Sequence, residues 1–290
     1  MHGPIAVNNL SFLERAPLLR EFKITTSTTA LTGFPRAPWH QLVDIHIDVG
    51  EKWTFLGSEL WRALAQCVKL ELLHLKTANH HRILTGPQPT SSPHRVTLPR
   101  LREFHVSGRE PALFTWLALS HIFDNLHLPR LEKLDIGGRS TGRLWERTYL
   151  QSFLSLDNLL NASACSLTTL SLDEYISVPS LVVLQCLSSV PTLHKLRIQQ
   201  SRDCGRDLIV DDDFLEALTP GTLCPELRVL ILVDSGAYQE DTLVGLLRTR
   251  CNPPPGVARL QEASISSHRP KSHADEQIRS LGSLFTVHRT

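Results

Sequence analysis

The chain has 290 residues, a formal net charge of +1 and a hydrophobic fraction of 41%. This near-zero charge gives no global field favouring nucleic acid or an anionic membrane, and no stretch reaches the ~18 apolar residues of a membrane span. The six cysteines lack the C-x-x-C spacing of common zinc and redox sites. The first residues do not resemble a signal peptide, so we expect a reducing, cytoplasmic or nuclear location.

One pattern recurs along the chain. Residues 98–106 and 128–136 both read L-P-x-L-x-x-Φ-x-Φ, where Φ is a large apolar residue. The frame L-x-x-Φ-x-Φ is found nine times, and its last two apolar residues are two apart, which places them on one face of a strand. The frame predicts strands near residues 19–24, 42–47, 70–75, 101–106, 131–136, 167–172, 193–198, 227–232 and 260–265.

A single strand of this kind cannot bury its apolar face alone, so it needs neighbours stacked beside it. Successive frames begin 23–36 residues apart, at and beyond the long end of the ~20–29 residues of leucine-rich repeats, which leaves room for a helix on each return path. We therefore predict an α/β leucine-rich-repeat solenoid, with a parallel sheet on the concave face and helices on the convex face. A single domain is predicted over residues 1–290.

Helices are predicted between the strands, because apolar residues there recur at helical spacing. The predicted segments are 57–67, 111–126, 148–161, 180–188, 211–218 and 240–249, with 274–284 as a C-terminal cap. Residues 85–97 and 137–147 are predicted loops. A short helix at 8–15 is not a polar cap of the kind that a solenoid end requires, so we expect a missing upstream segment or another cover for the first strand.

Asp211-Asp212-Asp213 suits a helix start better than a cation site, because carboxylates interact favourably with the positive end of the helix dipole. Cys67, Cys165 and Cys224 lie shortly before frame leucines and are predicted to be buried.

Common repeats place Asn or Cys three residues after the last apolar position, where the side chain bonds the turn. None of the nine frames has one. The turns must satisfy their backbone differently, so we expect irregular curvature. The positions are Ser27, Gly50, Ala78, Arg109, Arg139, Tyr175, Ser201, Ser235 and His268.

Within each strand, the residue between the last two apolar positions points away from the core. Read in order, this column is Lys23, His46, His74, His105, Asp135, Ser171, Arg197, Ile231 and Ser264. Three histidines fall on consecutive strands, spaced about 4.8 Å apart. The predicted protein-binding residues on the concave face are Asp44, His46, Asp48, His74, Glu103, His105, Asp135 and Arg197.

The histidine row has two other interpretations, a metal site and a pH-sensitive patch near the ordinary histidine pKa of ~6.5. A polar recognition surface is favoured, because a flat row of side chains does not by itself give the convergent geometry that zinc needs. No metalloprotease, phosphate-loop or nucleophile-elbow motif is found, so we predict no enzyme activity, no cofactor and no metal. Arg139, Arg143 and Arg147 are interpreted as a solvated loop rather than a phosphate site. Trp145 and Tyr175 are candidate interface anchors near the rim, and packing against the solenoid is an equal alternative for Trp145.

Two segments carry a family resemblance. Residues 35–47 read P-R-A-P-W-H-Q-L-V-D-I-H-I, and the L-P-x-L-x-x-L-x-Φ strands lie at 98–106 and 128–136. Together, over about residues 8–265, they resemble F-box proteins of mushroom-forming fungi that carry irregular leucine-rich repeats. The resemblance implies that the repeats hold a substrate protein, while an F-box docks on the adaptor of a cullin–RING ubiquitin ligase. No F-box-like L-P-x-E-[IL]-L segment is visible before the repeats, so we expect an F-box upstream of Met1 or a chain keeping only the recognition half.

Three hypotheses about function follow. The first is the substrate-recognition part of an F-box-type SCF ubiquitin ligase receptor. The alternative is a stand-alone leucine-rich-repeat scaffold or regulator, such as a regulator of small GTPases. The third, a metal-dependent enzyme on the histidine row, requires metal bound by His46, His74 and His105.

Overall fold

The structure, a computed structural model, describes residues 16–26, 36–49, 57–77, 95–108, 113–138, 146–173, 179–200, 209–233, 238–267, 273–282 and 285–289. The strands are β1 (Glu21–Thr26), β2 (Asp44–Val49), β3 (Leu72–Thr77), β4 (Val96–Thr97), β5 (Glu103–Gly108), β6 (Leu126–His127), β7 (Lys133–Gly138), β8 (Thr169–Asp173), β9 (Lys195–Gln199), β10 (Val229–Val233), β11 (Glu262–Ser267) and β12 (Phe285–Arg289). The helices are α1 (Gly57–Leu64), α2 (Leu113–Asp124), α3 (Glu146–Ser163), α4 (Ser180–Ser188), α5 (Asp212–Leu218), α6 (Glu240–Cys251) and α7 (His273–Ser280), and Trp39–Gln41 forms a 3-10 turn.

Ten of these strands form one sheet in the order β1-β2-β3-β5-β7-β8-β9-β10-β11-β12. Each of the ten strands pairs in parallel with its neighbours in this order. Helices alternate with the strands, as parallel pairing requires a crossover between neighbours. The predicted α/β fold with a long parallel sheet and alternating helices is confirmed.

The nine frames give nine of the ten strands, and each strand begins two residues after the first leucine of its frame. The buried face of the sheet carries the last two apolar residues of each frame. In β7, for example, Leu134 is 0% exposed and Ile136 is 1% exposed. The first leucine of that frame, Leu131, is also buried, so all three join the same hydrophobic core.

The entry to each strand is bonded in a regular way. Two consecutive amides donate to one carbonyl oxygen of the preceding repeat. Arg102 N and Glu103 N, for example, lie 2.9 and 3.0 Å from the carbonyl oxygen of Glu71. The same arrangement links nine successive repeats through eight carbonyls, those of Arg20, Val43, Glu71, Arg102, Glu132, Thr168, His194 and Arg228. This ladder holds neighbouring repeats in register at the edge where the strands begin.

All nine positions that would carry the asparagine of a common repeat lie outside the described residues. Other buried side chains form hydrogen bonds with the backbone of the segments that connect strands and helices. The side-chain oxygen Oε1 of Gln200 accepts a hydrogen bond from Val210 N at 3.3 Å, and Ser163 Oγ accepts one from Leu128 N at 2.9 Å. Cys67 and Cys224 are buried, as predicted, whereas Cys165 is only partly buried.

The C-terminal region differs from the prediction. The predicted cap over 274–284 is a shorter helix, α7, and it is followed by the tenth strand. Phe285 and Val287 of β12 are buried and extend the core beyond β11. The sequence frame missed this strand because Gly282 stands where the other frames have leucine.

Two predicted loops also differ in part. Val96 and Thr97, assigned to the loop 85–97, form β4 and pair with β6. Gly137 and Gly138 end β7, and residues 146–147 begin α3, so the predicted loop 137–147 is shorter at both ends. The remaining helices start and end within about three residues of the predicted bounds. The predicted helix 8–15 and residues 85–94 lie outside the described residues.

Among the helices that the structure describes, none is long and apolar enough to cross a membrane.

Candidate functional site

The sheet has a second face, opposite the core, which we call the open face. It consists of the first, third and fifth residues of each core-sheet strand from β1 to β11 and of Thr286 and His288 in β12. In β2, Ile45 and Ile47 are buried while the alternating Asp44, His46 and Asp48 remain partly exposed. All eight predicted site residues lie on this face, at positions 1, 3 or 5 of their strands.

The histidine row forms as predicted. The parallel register places His46 beside His74 and His74 beside His105. The ring centroids of His46 and His74 are 5.2 Å apart at an interplanar angle of 39°. The rings of His74 and His105 are stacked, with centroids 5.7 Å apart and an angle of 23°. The three rings therefore form one row across β2, β3 and β5.

Carboxylates hold both ends of the row. At one end, His46 Nε2 lies 3.0 Å from Asp44 Oδ1, although the two atoms are not aligned as a hydrogen bond. At the other end, His105 Nδ1 donates to Asp135 Oδ2 at 2.6 Å, and its Nε2 lies 3.4 Å from Glu103 Oε2. His105 is therefore held between two carboxylates, on its own strand and on β7.

The pKa values of His74 and His105 are shifted in opposite directions. The hydrogen bond with Asp135 raises the pKa of His105 and outweighs the effect of burial, which lowers it. Burial, followed by the neighbouring imidazoles of His105 and His46, lowers the pKa of His74. Burial alone would raise the pKa of Asp135, but the hydrogen bond and charge of His105 outweigh it and lower that pKa. The two shifts therefore favour the charged form of His105 over that of His74.

Lysines complete the charge pattern of this half of the face. Lys133 Nζ lies 3.3 Å from Glu103 Oε2 and 3.6 Å from Asp135 Oδ2, so one cation bridges two carboxylates. Lys76 Nζ lies 3.5 Å from Asp48 Oδ2. These ion pairs are partly exposed, and each contributes only modestly to stability. Their main effect is to fix the positions of the charged groups.

A second group of polar side chains surrounds Arg197. Its Nε donates to Asp173 Oδ1 at 2.8 Å, and its Nη2 donates to Gln199 Oε1 at 2.6 Å. Ser171 Oγ donates to the same Asp173 oxygen at 3.0 Å. The guanidinium of Arg197 is thus held in one orientation above β9.

Sequence reasoning missed Lys133, Asp173 and Gln199. Each lies two residues from a member of the predicted column, and the strand alternation would have placed them on the same face. Arg139, Arg143, Trp145 and Tyr175 lie outside the described residues, and Arg147 falls within α3 rather than in a loop.

A shallow depression of about 350 Å³ adjoins the histidine row at the edge where β1, β2, β3 and β5 begin. Asp44 and Glu103 line it together with the apolar Val43 and Leu72. The site thus combines a flat, charged row with a partly apolar recess at its edge.

Within the ranges that the structure describes, no group of three or more His, Cys, Asp or Glu side chains converges as metal ligands would. The histidine row spreads its rings along the sheet instead. Asp211-Asp212-Asp213, the other candidate cation site, begins α5: the Asp211 carboxylate accepts a hydrogen bond from Phe214 N at 2.8 Å. The helix-start interpretation of that acidic run is confirmed.

Compared with models of protein families and with curated proteins, the chain has no match in either set.

Proposed function

We propose that the chain is a protein-binding module and that the open face is its recognition surface. One observation carries this proposal: helices and buried side chains lie on one face of a ten-stranded sheet, while the other face presents aligned, partly exposed polar side chains. A surface of this extent, with fixed charges and little depth, suits a protein better than a small molecule, which binds in deep and mostly apolar cavities.

The charges of the open face favour specific recognition. His105, Asp135 and Lys133 form one fixed group, and Arg197 with Asp173 forms another. Fixed charges discriminate between partners, because a like charge placed against them costs several kcal/mol. Complementary charge therefore contributes to the selection of partners.

The more specific proposal is substrate recognition within an F-box-type SCF ubiquitin ligase. The support for it is the resemblance of residues 35–47 and of the L-P-x-L strands to fungal F-box repeat proteins. In this proposal, an F-box outside the repeats contacts the cullin–RING adaptor, and the open face holds the substrate. The setting is cytoplasmic or nuclear, in keeping with the five free cysteines among the described residues.

The test is affinity capture of the protein tagged at its own locus, followed by quantitative mass spectrometry. It compares the wild type with a His105→Ala/Arg197→Ala variant of the open face. The matched control is Leu181→Ala on α4, a side chain that is 74% exposed on the helical layer. We expect a specific partner that the open-face variant loses and the control retains.

Recovery of a cullin and its adaptor supports the ligase proposal, and the partner lost by the variant is then the candidate substrate. A specific partner without ligase components supports a stand-alone scaffold or regulator instead. Recovery of background proteins alone, or equal capture by all three forms, contradicts recognition by the open face.

A further inference from the structure

The open face changes character at β10. The outward residues of this strand, Val229, Ile231 and Val233, are all apolar, and we call them the β10 stripe. Each is partly exposed, and none belongs to the hydrophobic core or packs against it. The outward residues of the two neighbouring strands are polar: Lys195, Arg197 and Gln199 on β9, and Glu262, Ser264 and Ser266 on β11.

We propose that the β10 stripe anchors an amphipathic helix of the protein partner, with its apolar ridge on the stripe and carboxylates beside β9. The proposal rests on the proposed function, since it identifies the kind of segment that the open face recognises. These partly exposed aliphatic side chains do not contribute to the core of the described chain, and contiguous apolar patches on a surface mark interaction sites.

The spacing of the stripe fits a helix. Alternate residues of a strand are about 6.6 Å apart along its axis, whereas residues i and i+4 of a helix are separated by about 6 Å. Three aliphatic side chains at i, i+4 and i+8 therefore follow Val229, Ile231 and Val233 closely along the length of β10.

An extended segment fits less well. β10 is an interior strand, paired on both sides with β9 and β11, so its backbone groups are already bonded. An extended peptide lying on the stripe would meet only aliphatic side chains and would leave its own amides and carbonyls unpaired there. A helix satisfies its backbone internally and needs only side-chain contacts, as in helix-in-groove recognition.

The flanking charges determine which side of the helix lies beside β9 and which lies beside β11. In the register of the sheet, Lys195 lies beside Val229 and Glu262 lies on the other side of it. Lys195 is exposed, and no ion pair or hydrogen bond engages it in the part of the chain that the structure describes. Arg197, beside Ile231, is held in place by Asp173 and Gln199. A helix with carboxylates on its β9 flank and a cation towards Glu262 complements both sides.

The probe that tests this inference is a displayed library of helical peptides on a fixed alanine-rich scaffold, randomised along one face and both flanks. The full chain serves as bait, and selected peptides are then measured for affinity. We expect enrichment of aliphatic residues at i, i+4 and i+8, with Asp or Glu on one flank. Ile231→Thr, which keeps the β-branched shape of the side chain, should weaken selected peptides about tenfold or more.

Charge reversal tests the orientation. In Lys195→Glu, selection should favour Lys or Arg on the flank where the wild type favours carboxylates. Lys23→Glu, an exposed lysine on the open face of β1, is the matched control and should leave the preference unchanged. Thermal unfolding of each variant verifies that the fold is intact, and Val229→Thr provides a second substitution of the stripe.

The inference is overturned if no helical ridge is enriched, or if selected peptides bind Ile231→Thr and Val229→Thr as tightly as the wild type. If those peptides instead lose affinity in the His105→Ala/Arg197→Ala variant, the open face still recognises proteins and only the stripe is wrong. The proposed function is tested separately by the affinity capture described above. It fails if the His105→Ala/Arg197→Ala variant captures the natural partner as well as the wild type does.

Discussion

His105 Nδ1 donates a hydrogen bond to Asp135 Oδ2 across β5 and β7 at 2.6 Å. Because the pKa of His105 is raised, its contribution to the free energy of unfolding is fully present below about pH 6.5 and is lost as the pH rises through the raised pKa. Because the pKa of Asp135 is lowered, its contribution to the free energy of unfolding is present above about pH 4 and is lost as the pH falls through the lowered pKa. The contact is therefore strongest in mildly acidic solution.

Asp135→Asn should lower the free energy of unfolding by about 1–2 kcal/mol at pH 5.5, where the contact joins two charged groups, and by less at pH 8.5. Urea unfolding at the two pH values measures the difference. Asp48→Asn is the control, because the charged group that it faces is Lys76 rather than a histidine. Equal losses for Asp135→Asn at both pH values would mean that His105 does not charge as described.

Leu134 tests the repeat frame itself. It is 0% exposed in the central strand β7, and Leu134→Asp places a carboxylate where no partner is available, at a cost of several kcal/mol unless the group is neutralised. We expect loss of cooperative unfolding across neighbouring repeats, measured by circular dichroism on heating. Glu132→Ala, an exposed change two residues away, should alter stability by no more than about 0.5 kcal/mol. An unchanged melting curve for Leu134→Asp would refute the assignment of the buried face.

Two glycines give opposite predictions for the same substitution. Gly221 has a φ of +76°, and an added Cβ would lie 2.4 Å from Val257 Cγ1 and 2.6 Å from Arg250 Nη1. Gly221→Ala should therefore destabilise the protein by more than about 1 kcal/mol. At Gly245, which is exposed within α6, an added Cβ would meet no described atom within 4 Å outside the backbone of that helix, so Gly245→Ala should stabilise the protein by about 0.5–1 kcal/mol. Chemical unfolding of both variants is the measurement, and the same sign for both would count against this geometry.

The N-terminus of α5 depends on Asp211. Its carboxylate accepts hydrogen bonds from Phe214 N and from Ser180 Oγ, each at 2.8 Å. Asp211→Ala should cost about 1–2 kcal/mol, since it removes the cap and leaves a buried hydroxyl without its partner. Asp211→Asn keeps an acceptor and should cost less. Asp213→Ala, on the exposed side of the first turn, is the control, and a cost for it equal to that of Asp211→Ala would argue against capping.

The strands and the face that each buries follow from the sequence, because a strand has a period of two and its frame residues must share one core. The frame did not predict the strand of Phe285 and Val287, because Gly282 stands in place of its first leucine. The two apolar strand residues are nevertheless buried in the core. The alignment of His46, His74 and His105 followed from repeat position alone.

The partners of those histidines did not follow from the sequence. Whether His105 bonds Asp135, Glu103 or neither depends on side-chain rotamers, which a single sequence does not show. The β10 stripe was also missed, because the positions two residues away from the central column were considered only beside the histidines. Ile231 is a lone apolar residue among the outward residues that lie between the last two apolar positions of each frame. The stripe becomes visible only when the outward residues two positions away, Val229 and Val233, are included.

The central claim is that the open face binds a protein partner. The most direct test is the affinity of the captured partner, purified, for the wild-type chain, for His105→Ala and for Leu181→Ala, measured by biolayer interferometry on proteins whose melting curves show them to be folded. We predict a loss of about tenfold or more for His105→Ala and no change for Leu181→Ala. Unchanged affinity for His105→Ala together with a loss for Leu181→Ala would place recognition on the helical layer and contradict the account.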